Sequence, residues 1–100
     1  MVKKALTSEK IIEKMEQNKE DIRRFDVRKI GVFGSFAKNK QTKKSDIDIL
    51  VTFGEDTFDN YTGLLLLLEK VLKRKIDLVI EDDIHPEFRY VKKEARYVRL

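Results

Sequence analysis

Apolar residues recur along this chain in two different periods, and the switches between them divide it into elements. Thr7 or Ser8 can cap a first helix, with Glu9 favourable in its first turn. Ile11, Met15 and Ile22 then mark one apolar stripe, broken by Asn18, and the helix is expected to end near Phe25. Arg28–Phe33 reads as a strand stopped by Gly34, and Ser35–Asn39 as a short helical turn. Lys40–Ser45 is polar without a period and predicts a loop. Asp46–Phe53 alternates at first and then runs apolar through Ile49, Leu50 and Val51, as a strand covered on both faces does. After a turn at Gly54–Asp56, Asp56 or Thr57 caps a long helix to about Lys73, with Tyr61, Leu65, Leu68 and Leu72 as its core stripe. Lys75–Ile80 reads as a third strand. His85–Pro86 has the proline placement of a helix start, with Phe88, Val91 and Ala95 on the inner face. Tyr97–Leu100 is a tail able to add a short strand. The order α-β-β-α-β-α predicts one α/β (α+β) domain over residues 1–100, a small mixed sheet with helices packed on it.

Three acids interrupt this pattern. On a strand, residues two apart share a face, so Asp46 and Asp48 project together while Ile47 and Ile49 point the other way. Two like charges about 5 Å apart repel by roughly 3 kcal/mol at an effective dielectric near 20, and a divalent cation between them relieves that. Asp77 lies between Ile76 and Leu78 in an apolar strand, where a carboxylate needs a wet cleft or a partner. With that strand beside Asp46–Phe53, the three carboxylates converge, and two metal ions about 3.5–4 Å apart then serve both the attacking and the leaving oxygens of a displacement. Gly34 and Ser35 supply the complementary half: a tight turn that lets backbone approach closely, and a hydroxyl donor for an anion. Lys38, Lys40 or Lys43 would neutralise phosphate. Each piece also has an ordinary reading. Gly-Ser is a common turn, Asp-x-Asp is commonly a solvated strand end, and a strand aspartate protects an edge from aggregation. The conjunction is more specific, arising by chance on the order of once in a thousand chains of this length.

Composition narrows the chemistry. There is no cysteine, so disulfides and thiolate metal sites are excluded and the ligands left are carboxylates and one histidine, His85, which reads as a cap or surface residue. The formal charge of +4 favours anionic partners. The Lys38, Lys40, Lys43 and Lys44 loop is either simply solvated or contacts phosphate or RNA, but no aromatic stacking platform shows in the sequence, which disfavours direct nucleic-acid binding. Met1–Thr7 lacks the apolar core of a signal peptide, and the longest apolar run, Leu64–Leu68, is far short of the roughly 20 residues of a membrane span. A cytoplasmic protein with no membrane contact is expected. Those leucines wrap around their helix, so Leu66 and Leu67 should face away from the stripe and form a protein interface, with a second copy or another protein.

At Gly34-Ser35-Phe36-Ala37, Ser45-Asp46-Ile47-Asp48-Ile49-Leu50-Val51 and Ile76-Asp77-Leu78-Val79 the sequence resembles the DNA polymerase β-like nucleotidyltransferase superfamily, and most of all its minimal nucleotidyltransferases. The stretch from Pro86 to Val98 is similar to that family's terminal helix. The resemblance implies a polymerase β palm-like fold and transfer of NMP, with ATP as substrate and Mg²⁺, two ions, as cofactor, Mn²⁺ being the substitute. It implies that Asp46 and Asp48 bind both metals, that Asp77 binds the catalytic metal and helps deprotonate the acceptor hydroxyl, and that Gly34, Ser35 and Lys38 contact the nucleotide. Members of this class often act as MntA-type antitoxins, adding AMP to a tyrosine of a HEPN-domain ribonuclease toxin. Many relatives have Arg-Gly where this chain has Lys38-Asn39, which keeps the charge and loses the bidentate fork. The alternative is a non-catalytic antitoxin that neutralises its partner by contact alone.

Overall fold

Asn18 breaks the first helical stripe. Its side-chain amide donates to the Lys14 carbonyl at 2.8 Å while its backbone N–H turns back to Met15, and the helix splits into α1 (Ser8–Gln17) and α2 (Lys19–Arg23). Asparagine competes for backbone groups in this way, which suits it to helix ends. The computed structural model describes residues 6–100, so the start of the chain read above for a targeting signal lies in part outside the described residues. Thr7 caps α1 by accepting the Lys10 N–H, and Ile11, Met15 and Ile22 are fully buried.

The remaining elements are β1 (Val27–Phe33), α3 (Gly34–Ala37), β2 (Ile47–Phe53), α4 (Phe58–Leu72), β3 (Ile76–Ile80), two 3₁₀ turns (Glu81–Asp83 and Pro86–Phe88), α5 (Tyr90–Glu94) and β4 (Arg96–Tyr97). They form a mixed sheet in the order β3-β2-β1-β4. β1 is antiparallel to both neighbours, and β2 and β3 are parallel across the α4 crossover. Ile47, Ile49, Val51 and Phe53 of β2, with Ile30 and Val32 of β1, pack against α1, α2 and α4 in one cluster. Asp48, Leu50 and Thr52 point to the opposite face. Leu50 is buried there, as the unbroken apolar run required.

Two core expectations need correction. In α4 the buried line is Leu64, Leu68 and Leu72, while Tyr61 and Leu65 flank it half-buried. Tyr61 is held at the margin because its hydroxyl donates to the Leu78 carbonyl at 2.6 Å, fastening α4 to β3. Leu67 packs against the core, so of the expected Leu66/Leu67 surface only Leu66, 61% exposed, faces outward, with Phe58 on the same helix. At the C-terminus Phe88 is half exposed rather than inward. His85 caps the turn after it, its Nδ1 accepting the Glu87 N–H, but Pro86–Phe88 winds as a 3₁₀ turn. At three residues per turn instead of 3.6, Phe88 is carried off the inner face. α5 is one short helix, and the short strand β4 forms over Arg96–Tyr97, earlier than the expected tail, with Val98 beyond it donating to Ile30 and burying its side chain in the core.

Candidate active site

The parallel pairing of β2 and β3 begins where the Ile47 N–H reaches the Lys75 carbonyl at 3.0 Å. That register sets Asp48 directly opposite Asp77. Register partners project to the same face, so the two carboxyl groups lie within each other's electrostatic reach. Asp48 is half buried and Asp77 exposed. The Asp48 pKa is raised to about 6, by burial first, then by the charge of Asp77 and their shared hydrogen bond, then by the charge of Asp46. Asp46 itself precedes the strand, exposed at the mouth of the site. Asp46 and Asp77 thus act on Asp48 from two separate segments.

Gly34 closes the site from the β1 side. Phe33, the last residue of β1, pairs with Asp48, so the chain leaves β1 beside the acid pair. Gly34 follows at a φ of 70°, in the left-handed region, and a Cβ placed on it would run into the Asp48 carboxylate. Glycine is required twice over, by its backbone angle and by contact. Ser35 follows as the second residue of α3 and is half-buried, while Phe36 is fully buried and holds the turn in place. Lys38 ends the turn with its ammonium 3.2 Å from a Glu94 carboxylate oxygen of α5. Lys40 and Lys43 are exposed on the following loop.

Among the described residues, no three acidic or histidine side chains close around one point tightly enough to cage an ion. Asp48 and Asp77 instead face each other across the β2–β3 register, with Asp46 close enough for its charge to act on Asp48. The donor set still fits a hard divalent cation. All three are carboxylates, and the like-charge repulsion that adds to burial in raising the Asp48 pKa is what a cation between them would relieve. His85 takes no part, being occupied with its own turn. A hollow of about 550 Å³ bordered by Arg23, Arg28 and Lys29 lies at the opposite end of β1, away from the acids.

Sequence reasoning missed Arg74. Its guanidinium donates to the Ser45 carbonyl immediately before Asp46 and lies over the Phe36 ring of α3. Within Lys73-Arg74-Lys75 it looks like an ordinary basic helix end; its place three residues before Asp77 was the only available signal.

Carboxylates thus stand in register on neighbouring strands, met by a glycine turn leaving a third. The chain belongs to the nucleotidyltransferase domain family, whose model matches residues 8–98. Protein MJ1379 of Methanocaldococcus jannaschii, named for protein adenylyltransferase activity, is 44% identical over 73 residues, covering 70% of this chain and 71% of that protein. Protein adenylyltransferase MntA of Thermococcus cleftensis is 38% identical over 81 residues, covering 79% and 82%. The solved structure of a minimal nucleotidyltransferase superposes with a TM-score of 0.79 at 30% identity, over 94% of this chain and 98% of the other. A chain of the Shewanella oneidensis complex of a tri-AMPylated HEPN toxin with MNT antitoxin has a similar fold, at a TM-score of 0.60 and 20% identity, over 86% of this chain and 70% of the other. Among the described residues no helix is long and apolar enough to cross a membrane.

Proposed function

We propose that this chain transfers AMP from ATP to a protein hydroxyl, a tyrosine of a HEPN-type toxin, and is the antitoxin of that pair in the cytoplasm. The observation that carries this reading is the Asp48–Asp77 pair in register across β2 and β3, with Gly34 pressed against it. Relatives named for protein adenylylation, and a structural neighbour bound to an AMPylated HEPN toxin, support the choice of acceptor.

Asp46, Asp48 and Asp77 would hold Mg²⁺, two ions, with Mn²⁺ as substitute. The metal, when bound, polarises phosphoryl oxygens and neutralises charge on the leaving group. Gly34 lets the triphosphate approach the backbone, the Ser35 hydroxyl donates to a phosphate oxygen, and Lys38 adds charge once it leaves Glu94. Asp77, the more exposed of the pair, takes the acceptor proton. The acceptor oxygen bonds to the α-phosphorus as the bond to pyrophosphate breaks, and pyrophosphate leaves. Incubation with ATP, Mg²⁺ and the HEPN partner should add one or more AMP masses to that partner. No gain, with wild type and Asp46→Ala behaving alike, would refute the reading.

A second reading, neutralisation by contact alone, is favoured by the exposure of Leu66 and Phe58 on α4, which also offers a face for a second copy of the chain. It requires that Asp46→Ala plus Asp48→Ala still protect cells from the partner.

A further inference from the structure

Arg74 belongs neither to the acid pair nor to the glycine turn, yet it touches the chain on both sides of the site. α4 ends at Leu72, and Lys73 turns the backbone left-handed at a φ of 54°. Arg74, next in line, extends toward the loop before β2. Its Nη2 donates to the Ser45 carbonyl at 2.5 Å and reaches the Thr42 carbonyl at 3.5 Å. Those are the two ends of one turn, which is closed internally by Ser45 N–H to the Thr42 carbonyl and Thr42 N–H to the Ser45 hydroxyl. The same guanidinium carbon stands 5.5 Å from the centre of the buried Phe36 ring. The neighbouring Lys75 carbonyl accepts the first β2–β3 rung, from Ile47. A single side chain thus joins α3, the turn that delivers Asp46, and the strand that carries Asp77.

We propose that Arg74 is a positioning residue that aims Asp46. Asp46 is exposed and outside the strand, so its direction is set by Ser45, the residue whose carbonyl Arg74 holds. Asp48 and Asp77 need no such help, because the parallel register already fixes them. One guanidinium nitrogen donates to both carbonyls while the plane lies over a ring; a lysine ammonium has no plane to lay there. Groups that orient a metal-binding carboxylate from behind typically change affinity or activity by about 10–100-fold when lost.

The role rests on the nucleotidyl-transfer reading of the acids, and the test separates the two. Full-length wild type, Arg74→Ala, Arg74→Lys and Arg96→Ala are compared; the last breaks the Arg96–Glu9 contact at 2.7 Å and controls for loss of an arginine tie. In Arg74→Ala, Mn²⁺ affinity should fall about tenfold or more and kcat by about 10–100-fold. KM for ATP should stay within roughly threefold, since Gly34, Ser35 and Lys38 are untouched, and Arg74→Lys should recover only part of the loss. Hydrogen exchange at the Ser45 and Ile47 amides should quicken in Arg74→Ala and not in Arg96→Ala. Unchanged exchange at those amides overturns the clamp whatever the activity. Quickened exchange with Mn²⁺ affinity and kcat equal to Arg96→Ala overturns its positioning role. A wild-type chain that binds no Mn²⁺ sinks the nucleotidyl-transfer reading, and the aiming of Asp46 with it.

Discussion

Two acids share one face of the sheet and live in opposite electrostatic worlds. At one end Asp48 faces Asp77 and Asp46, and its pKa rises to about 6. At the other end Glu81, just past β3, faces donors and cations. Thr52, four residues along β2 from Asp48, donates its hydroxyl to Glu81 at 2.8 Å, and the Tyr97 hydroxyl donates at 3.0 Å. Lys29 stands 3.7 Å from the same carboxylate and 4.2 Å from the Tyr97 ring centre. Burial pushes the Glu81 pKa up, but the two hydrogen bonds and the charges of Lys29 and Lys92 outweigh it and hold the carboxylate below its ordinary range. Its partner Tyr97 is pushed up to about 12, by burial first and then by Glu81. Glu81 is a finished structure, tying the C-terminal strand to the sheet. The causes that set the Asp48 pKa include no cation. That contrast marks a functional site more surely than acidity does.

The sharpest way to break the comparison is to neutralise one acid at each end. Asp48→Asn should abolish AMP transfer, by at least about a thousandfold, because several kcal/mol of transition-state stabilisation goes with the metal. It should not lower the thermal midpoint in EDTA above pH 6, where it removes a repelled charge. With the carboxylate only half buried, screening keeps any gain under about 1 kcal/mol. Glu81→Gln should do the reverse. It should cost about 1–2 kcal/mol in urea unfolding, by weakening charged hydrogen bonds to Thr52 and Tyr97, and leave kcat within about threefold. An Asp48→Asn protein that keeps transferring AMP, or a Glu81→Gln protein that loses activity without losing stability, would undo the division between the two ends.

The acid end was legible in the sequence and the Glu81 end was not, for a physical reason. Asp48 and Asp77 sit where an apolar strand leaves no ordinary use for a carboxylate, so each stands out locally, and Gly34 beside Ser35 marks a turn. Glu81 follows its strand into a run of acids, Glu81-Asp82-Asp83, and looks like solvated surface; its partners Thr52, Tyr97 and Lys29 reach it only through long-range contacts. Arg74 was hidden in the same way, since its contacts with Ser45 and Phe36 cross roughly 30 to 40 residues of chain. The element order and the α1, β1, β2 and β3 cores followed from periodicity. The α4 stripe was rotated toward Leu64 because five consecutive leucines offer no local phase. The terminal helix failed at Phe88 because periodicity cannot distinguish 3₁₀ from α winding over three residues.

Titration should separate the two ends without touching their chemistry. Asp48 has a folded pKa of about 6 against an ordinary 3.8, so its protonation favours the folded state. That contribution is complete at pH below about 4 and is lost as the pH rises through about 6. Glu81 has a depressed folded pKa, so its contribution is present above its ordinary 4.5 and is lost as the pH falls through the folded value. In EDTA, the stability difference between wild type and Asp48→Asn should therefore move against wild type from pH 4 to pH 7. The difference between wild type and Glu81→Gln should move in its favour from pH 3 to pH 5. Adding Mg²⁺ at pH 7 should reverse the first difference and leave the second alone. Unfolding curves in which Mg²⁺ stabilises Asp48→Asn as much as wild type would show that the cation binds elsewhere.

The smallest effect is expected at the seam between the site and the C-terminal segment. Lys38 ends the glycine turn but is held 3.2 Å from Glu94 of α5, both side chains remaining close to half exposed. An exposed pair of this kind contributes about 0.2–1 kcal/mol, little enough for a triphosphate to displace. Glu94→Gln should release Lys38 and lower KM for ATP by about two- to threefold, with kcat unchanged, because the contact forms equally in ground and transition states. Lys38→Met should raise KM by more than that, and combining the two changes should abolish the benefit of Glu94→Gln. The benefit should also fade at high salt, where both the pair and the phosphate contact are screened. Steady-state kinetics at two salt concentrations decide it. If Glu94→Gln lowers KM equally in the presence of Lys38→Met, Glu94 acts on the nucleotide directly by repulsion, and Lys38 is no part of the site.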